Sequence, residues 1–93
     1  RDFIFVKDIA RANLFAMESP IKNGFFNIGT GIGISIKDLA HLMIKIANKK
    51  LNPIFDKLPP GDVKSSQADV TFAKNSFNWN YITKLQEGLS TLF

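Results

Sequence analysis

The stretch Phe25–Ala47, FFNIGTGIGISIKDLAHLMIKIA, decides the reading of this chain, because strand, turn and helix signals follow one another in it without conflict. Phe25–Ile28 is a short β-favouring run. Gly29, Gly31 and Gly33 then mark a turn whose backbone favours dihedrals that a Cβ would disfavour. Ser35 is placed to cap a helix, with Asp38 three residues on to complete a capping box. Leu39, Leu42, Met43 and Ile46 recur at helical spacing, widened by Ile36, Ala40, Ile44 and Ala47, which predicts a core helix.

A glycine-rich turn between strand and helix invites a dinucleotide reading, since helix amides can cradle a phosphate. The spacing opposes it. A G-x-G-x-x-G pattern opened at Gly29 would place its third glycine on Ile34, and one opened at Gly31 would place it on Ile36. A tight connection is the expectation.

On either side the chain alternates in type. Asp2–Val6 is apolar on both faces, as a strand covered on both sides would be. Asp8 is read as the cap of a helix IARANLFAME, which Ser19-Pro20 stops, and Asn23-Gly24 returns the chain. Beyond the central helix, PIFD is extended, Leu58-Pro59-Pro60-Gly61-Asp62 is a rigid loop, and Asp69 caps a short helix VTFAKNSF. Asn78-Trp79-Asn80 turns the chain again. Thr83 and Gln86 suggest a capping box for a last helix carrying Leu85, Leu89 and Leu92, inside which Gly88 calls for a close neighbour. The order predicts a small α/β layer, too short to close alone.

With 93 residues the chain makes at most one small domain, residues 1–93, with a thin core. Nine Phe and a 45% hydrophobic content are more apolar surface than a polar binding module needs, so part of it is expected to face another domain. The opening RDFIFV, without methionine or leader, reads as a cut from something longer. No apolar stretch reaches membrane-spanning length and no signal peptide is present, so a soluble, cytoplasmic protein is expected. The absence of cysteine excludes disulfides and thiolate metal sites, and His41 alone makes no metal site. The net charge of +4 suits an anionic ligand, but the lysines are scattered, as solvated faces require. A basic module for RNA or an acidic partner is therefore the second reading. A patch or stripe of charge, which such modules carry, is missing.

Three motifs stand in one order: Arg1-Asp2-Phe3-Ile4-Phe5-Val6 with Asp8, then Phe26-Asn27-Ile28-Gly29-Thr30-Gly31, then Pro60-Gly61-Asp62-Val63 before Ala68-Asp69. Together, and with Leu85-Gln86-Glu87-Gly88-Leu89 at the end, they resemble the C-terminal part of the NAD-dependent epimerase/dehydratase family, the extended short-chain dehydrogenases acting on nucleotide sugars. The nearest likeness is to the UDP-glucose 4-epimerase group. The resemblance implies a small mixed α/β substrate-binding domain without its Rossmann domain. It implies NAD as cofactor of the complete enzyme, bound by the absent N-terminal domain, and none for this piece. A nucleotide diphosphate sugar and the missing Rossmann domain are the implied partners, with no nucleic acid and no membrane.

By that resemblance Arg1 reaches the substrate diphosphate, where its donor fork fits phosphate oxygens. Asp62 accepts from the ribose hydroxyls, as an acceptor-only carboxylate suits a diol. Asn27 and Thr30 are turn residues. The family's Tyr-x-x-x-Lys pair is not present, since Tyr81 is followed four residues on by Leu85, so no catalytic residue is assigned and Tyr81 is read as a packed aromatic. Pro59 stands where the family's Arg-Pro-Gly-Asp motif has its arginine, and Lys57 is the candidate to substitute for it, as a point charge rather than a bidentate fork.

Overall fold

The computed structural model describes all residues, Arg1–Phe93, and contains four helices: α1 (Val6–Glu18), α2 (Ile36–Ile46), α3 (Thr71–Phe77) and α4 (Leu85–Ser90). The three expected strands are missing. Asp2–Phe5, Phe25–Ile28 and Pro53–Asp56 carry no sheet ladder, Val6 already belongs to α1, and the regular structure present is helical. The physical reason is pairing: a strand exists through its neighbour's amides and carbonyls, and no backbone hydrogen bond joins one of these segments to another. Only Arg1 and Ile34 exchange both backbone bonds, each at 2.8 Å. The chain forms 35 backbone–backbone hydrogen bonds, where a folded chain of this length commonly forms roughly 60.

The helices follow their local signals, with their starts displaced where a tertiary contact intervenes. Ser35 caps α2 as its position suggested, its hydroxyl accepting from the Asp38 amide at 3.0 Å. Asp69 accepts from the Thr71 amide at 3.1 Å, although the residue flanking α3 is Val70. Asn78 ends α3 in the left-handed region at φ 55°, a conformation that asparagine tolerates better than most residues. The last helix departs from expectation. It starts at Leu85 behind Lys84, and Glu87 accepts from the Lys84 amide at 3.4 Å, so the Thr83–Gln86 box does not form.

The displacement traces to Asp8. Rather than capping a helix, Asp8 lies in the first turn of α1, which begins after an extended Phe5 whose carbonyl accepts from the amides of Asp8 and Ile9. Its side chain is 1% exposed. One carboxylate oxygen accepts from Arg11 at 2.6 Å and from the Ile82 amide at 3.3 Å; the other accepts from the Thr83 amide at 2.9 Å. The Asp8 carbonyl accepts from the indole N–H of Trp79 at 3.2 Å, and Arg11 donates onward to the Asn80 carbonyl at 3.0 Å. Thus one carboxylate joins α1 to the whole α3–α4 connection. Trp79, fully enclosed beside it, is the largest buried side chain.

Elsewhere little is enclosed. Six residues are buried, and none belongs to α2, so the expected core helix presents only a half-covered stripe toward α4. Gly88 has the close neighbour its position in α4 called for: a Cβ there would meet the Phe5 ring at 3.0 Å. Phe26 stacks on Phe72 with ring centres 4.7 Å apart and meets Phe77 edge-on at 5.0 Å, tying the central segment to α3. The molecule measures 50 × 32 × 14 Å. The short dimension is less than a third of the long one, so the molecule is flat. Its radius of gyration is 16.0 Å against about 12 Å for a compact chain of this length.

Asp8→Ala should therefore destabilise the chain by about 3 kcal/mol or more, because it leaves the Arg11 side chain and two amides short of a partner. Asp8→Asn should cost less. Urea unfolding of both variants measures this, and a shift no larger than that of a surface substitution would show that Asp8 is not the cross-link.

Candidate functional site

The two residues for which the resemblance implied substrate contacts lie 61 positions apart and meet in the fold. Arg1 donates to the Asp62 carboxylate at 3.4 Å, to the Ser66 hydroxyl at 3.1 Å, and to the Val63 carbonyl. The side chains of Arg1 and Asp62 remain 29% and 46% exposed, so the pair is open to solvent. Beside it lies a polar cleft of about 360 Å³, bounded by Arg1, Asp2, Asn27, Ser66 and Gln67.

Asp62 is presented by a turn that the sequence encodes directly. Its amide donates to the Pro59 carbonyl at 3.1 Å, with Pro60 and Gly61 between and Gly61 at φ 80°. These are the residue preferences of a type II turn, where proline suits the second position and only glycine readily takes the third. Pro59 thus supplies an acceptor to this turn and no cation. Lys57 forms neither an ion pair nor a side-chain hydrogen bond, and so does not enter the cluster in place of the arginine.

The residue that organises the cleft was not singled out from the sequence. Asp2 accepts from the Thr30 amide at 3.0 Å and the Thr30 hydroxyl at 2.6 Å with one oxygen. The other oxygen accepts from the Gly31 amide at 2.8 Å and the Ala68 amide at 3.4 Å. Three segments distant in sequence are fixed by one side chain. Gln67 adds a bond from its amide nitrogen to the Gly31 carbonyl at 2.6 Å. Packing is tight here, since a Cβ on Gly29 would come within 2.7 Å of Ala68 and 2.9 Å of Asp2. Thr30 has the turn role expected of it, its hydroxyl also accepting from the Ile32 amide at 3.0 Å. Asn27 takes no part in these bonds and borders the cleft instead.

This arrangement bears on the cofactor. The amides of Thr30 and Gly31, which a dinucleotide phosphate would have to use, are occupied by the Asp2 carboxylate, so the residues of this turn do not fit NAD. An apolar groove of about 380 Å³ between Phe3, Leu39, Met43, Leu85 and Leu92 contains neither Arg1 nor Asp62, and Lys84 is the one cation on its border.

Comparison with known proteins bears on this geometry. No family model matches the chain. A UDP-glucose 4-epimerase of Drosophila melanogaster is 33% identical over 84 residues, 85% of this chain and 24% of that protein. The crystal structure of a Thermotoga maritima UDP-glucose 4-epimerase with UDP-glucose superimposes with a TM-score of 0.90 at 40% identity, over 97% of this chain and 29% of that one. The chain is a relative of the nucleotide-sugar 4-epimerases. A third relative, the UDP-glucose 4-epimerase from Bifidobacterium longum in complex with NAD+ and UDP, is 25% identical over 97% of this chain and 28% of that one, with a TM-score of 0.86. This relative of the epimerases therefore spans 24% to 29% of their length. The expected resemblance stands over the whole chain, and none of these relatives supports the reading as an RNA-binding module. No helix is long and apolar enough to cross a membrane.

Burial raises the Asp2 carboxyl, but the hydrogen bonds from Thr30, Gly31 and Ala68 outweigh it and hold the group below the ordinary value of 3.8. A group depressed on folding contributes stability above its unfolded value, and that contribution is lost as pH falls from about there through the lower folded value. Unfolding stability measured between pH 5 and pH 2 should fall across the acid end of this window, and Asp2→Asn should flatten that part of the curve. An unchanged slope would show that the Asp2 bonds do not form in solution.

Proposed function

We propose that this chain is the nucleotide-sugar-binding, C-terminal part of an NAD-dependent epimerase acting on UDP-glucose or a close analogue. The observation that carries the reading is the meeting of Arg1 and Asp62 at an open polar cleft, in a chain related over nearly its full length to UDP-glucose 4-epimerases. In this reading Arg1 takes the diphosphate and Asp62 takes the ribose. A guanidinium matches two phosphate oxygens at once, which a lysine ammonium does not, and a carboxylate offers acceptors to both hydroxyls of a diol.

The cofactor is proposed for the complete enzyme and lies beyond this chain, whose glycine turn has no free cradle for it. The complex of a relative with NAD+ and UDP supports that choice. Bound there, NAD would take a hydride from the sugar and return it on the other face, while this chain orients the nucleotide half. The proposal keeps the cytoplasmic location expected from the sequence.

It also includes a Rossmann domain as the partner that covers the open layer. The accessible surface of 7456 Å² exceeds by about 2000 Å² the roughly 5400 Å² expected for a compact protein of this mass. Such an excess is the size of a substantial interface. Phe25 and Ile54, 98% and 96% exposed, show how much apolar surface remains uncovered.

Two outcomes are expected. The 93-residue chain alone should not turn over UDP-glucose, because Tyr81 has no lysine four residues on and no other tyrosine is available. Measurable turnover by the purified chain would refute this. In the full-length protein, Asp62→Ala should weaken UDP-glucose and UDP by the same amount, roughly 1 to 3 kcal/mol, since a ribose contact is common to both ligands. Calorimetric titration with equal affinities for wild type and variant would leave Asp62 as a turn residue only.

A further inference from the structure

We propose that Arg1 and Asp62 form an internal latch in the unliganded site, which a diphosphate opens by drawing Arg1 away and so releasing the Asp62 carboxylate for the ribose. This rests on the site reading above. It goes beyond that reading in making the two contacts sequential and mutually exclusive with the Arg1–Asp62 pair.

All three side-chain bonds of Arg1 go to one short segment, Asp62, Val63 and Ser66, so the guanidinium ties this segment to the edge of the cleft that Arg1 and Ser66 border. The two sides of the closure are held differently. The Arg1 main chain is fixed by its two bonds to Ile34, and its neighbour Asp2 is fixed by four more. On the other side of the pair, Asp62 is held by its turn bond to Pro59, Val63 by its amide bond to Asp62 at 2.9 Å and by Arg1, and the next attachments are Gln67 and Ala68. Opening therefore means a swing of the Arg1 side chain away from a short loop, with no change at the anchored main chain.

The charge pair within the latch is weak, and the bonds of Arg1 to Val63 and Ser66 are contacts with neutral acceptors that phosphate oxygens replace. At 3.4 Å the ion pair is longer than the 2.7–2.9 Å of a tight charge-assisted bond, and the oxygen that Arg1 uses is shared with the Val63 amide. A pair this exposed holds its partner by no more than about five-fold. A diphosphate brings more charge than one carboxylate and accepts both arms of the fork, so it displaces Asp62. The exchange leaves a freed carboxylate beside the position where the ribose follows.

The test separates the two halves of the ligand. Inorganic pyrophosphate and uridine are titrated separately into the full-length wild type, Asp62→Asn, Arg1→Ala and the double variant. Both positions are solvent-accessible, and thermal melting verifies that each variant is folded. With the charge of Asp62 removed and Arg1 held less firmly, Asp62→Asn should bind pyrophosphate about two- to five-fold more tightly, with the gain shrinking at high salt. That gain should vanish on the Arg1→Ala background, because it is a coupling between the two side chains rather than the loss of a nearby negative charge. Unchanged or weaker pyrophosphate binding by Asp62→Asn, an equal gain without Arg1, or no pyrophosphate binding by any form would overturn the latch. Uridine reports separately on the site reading: if Asp62→Asn binds it as well as wild type does, the ribose assignment fails whatever pyrophosphate does.

Discussion

A carboxylate buried among donors is the constraint on which this fold depends. Asp8 is 1% exposed and accepts from one guanidinium and two backbone amides contributed by residues more than seventy positions away. A charge so placed is tolerated only when its oxygens are matched, so the position of the α3–α4 connection follows from Asp8 rather than from its own turn signals. That is why α4 begins one residue later than its threonine suggested. Thr83 has its amide on Asp8, and the capping task passes to Glu87. Trp79 is held in the same place by a bond to the Asp8 main chain, and its enclosure follows from that anchorage.

A second carboxylate repeats this logic around the cleft. Asp2 takes bonds from Thr30, Gly31 and Ala68, and by doing so it denies the glycine turn to any phosphate while positioning the segment that carries Ser66 and Asp62. The first two residues of the resembling motif therefore have different tasks. Arg1 faces the cleft, and Asp2 builds its wall. Neither task requires regular secondary structure, and the cleft is assembled almost entirely from turns and irregular chain.

Between these two anchors the apolar residues are only partly covered. A molecule this flat encloses only six residues, while globular domains pack layers of secondary structure around one core. The extended segments lack sheet partners for a related reason. Runs such as Asp2–Val6, apolar on both sides, need both lateral pairing and cover from above and below, and this chain supplies little of either.

Local chemistry determined a good deal of the protein by itself. The Ser35 cap of α2, the Pro59–Asp62 turn with Gly61 at positive φ, the left-handed Asn78 and the need for a close neighbour at Gly88 all arise from interactions within a few residues or from the absence of a side chain. The same residues also made the kinship with the epimerases legible, since Arg1 and Asp62 were visible as members of ordered motifs. What only the tertiary structure decided is which distant groups meet. Asp8 looked like a cap because a carboxylate before an apolar helical pattern usually is one, and nothing near it in sequence announces Ile82 and Thr83. The i, i+3 spacing of Asp8 and Arg11 was the one local hint. Strand or unpaired chain was likewise settled at a distance, because a β-favouring run becomes a strand only when another segment accepts its amides, and propensity cannot supply that partner.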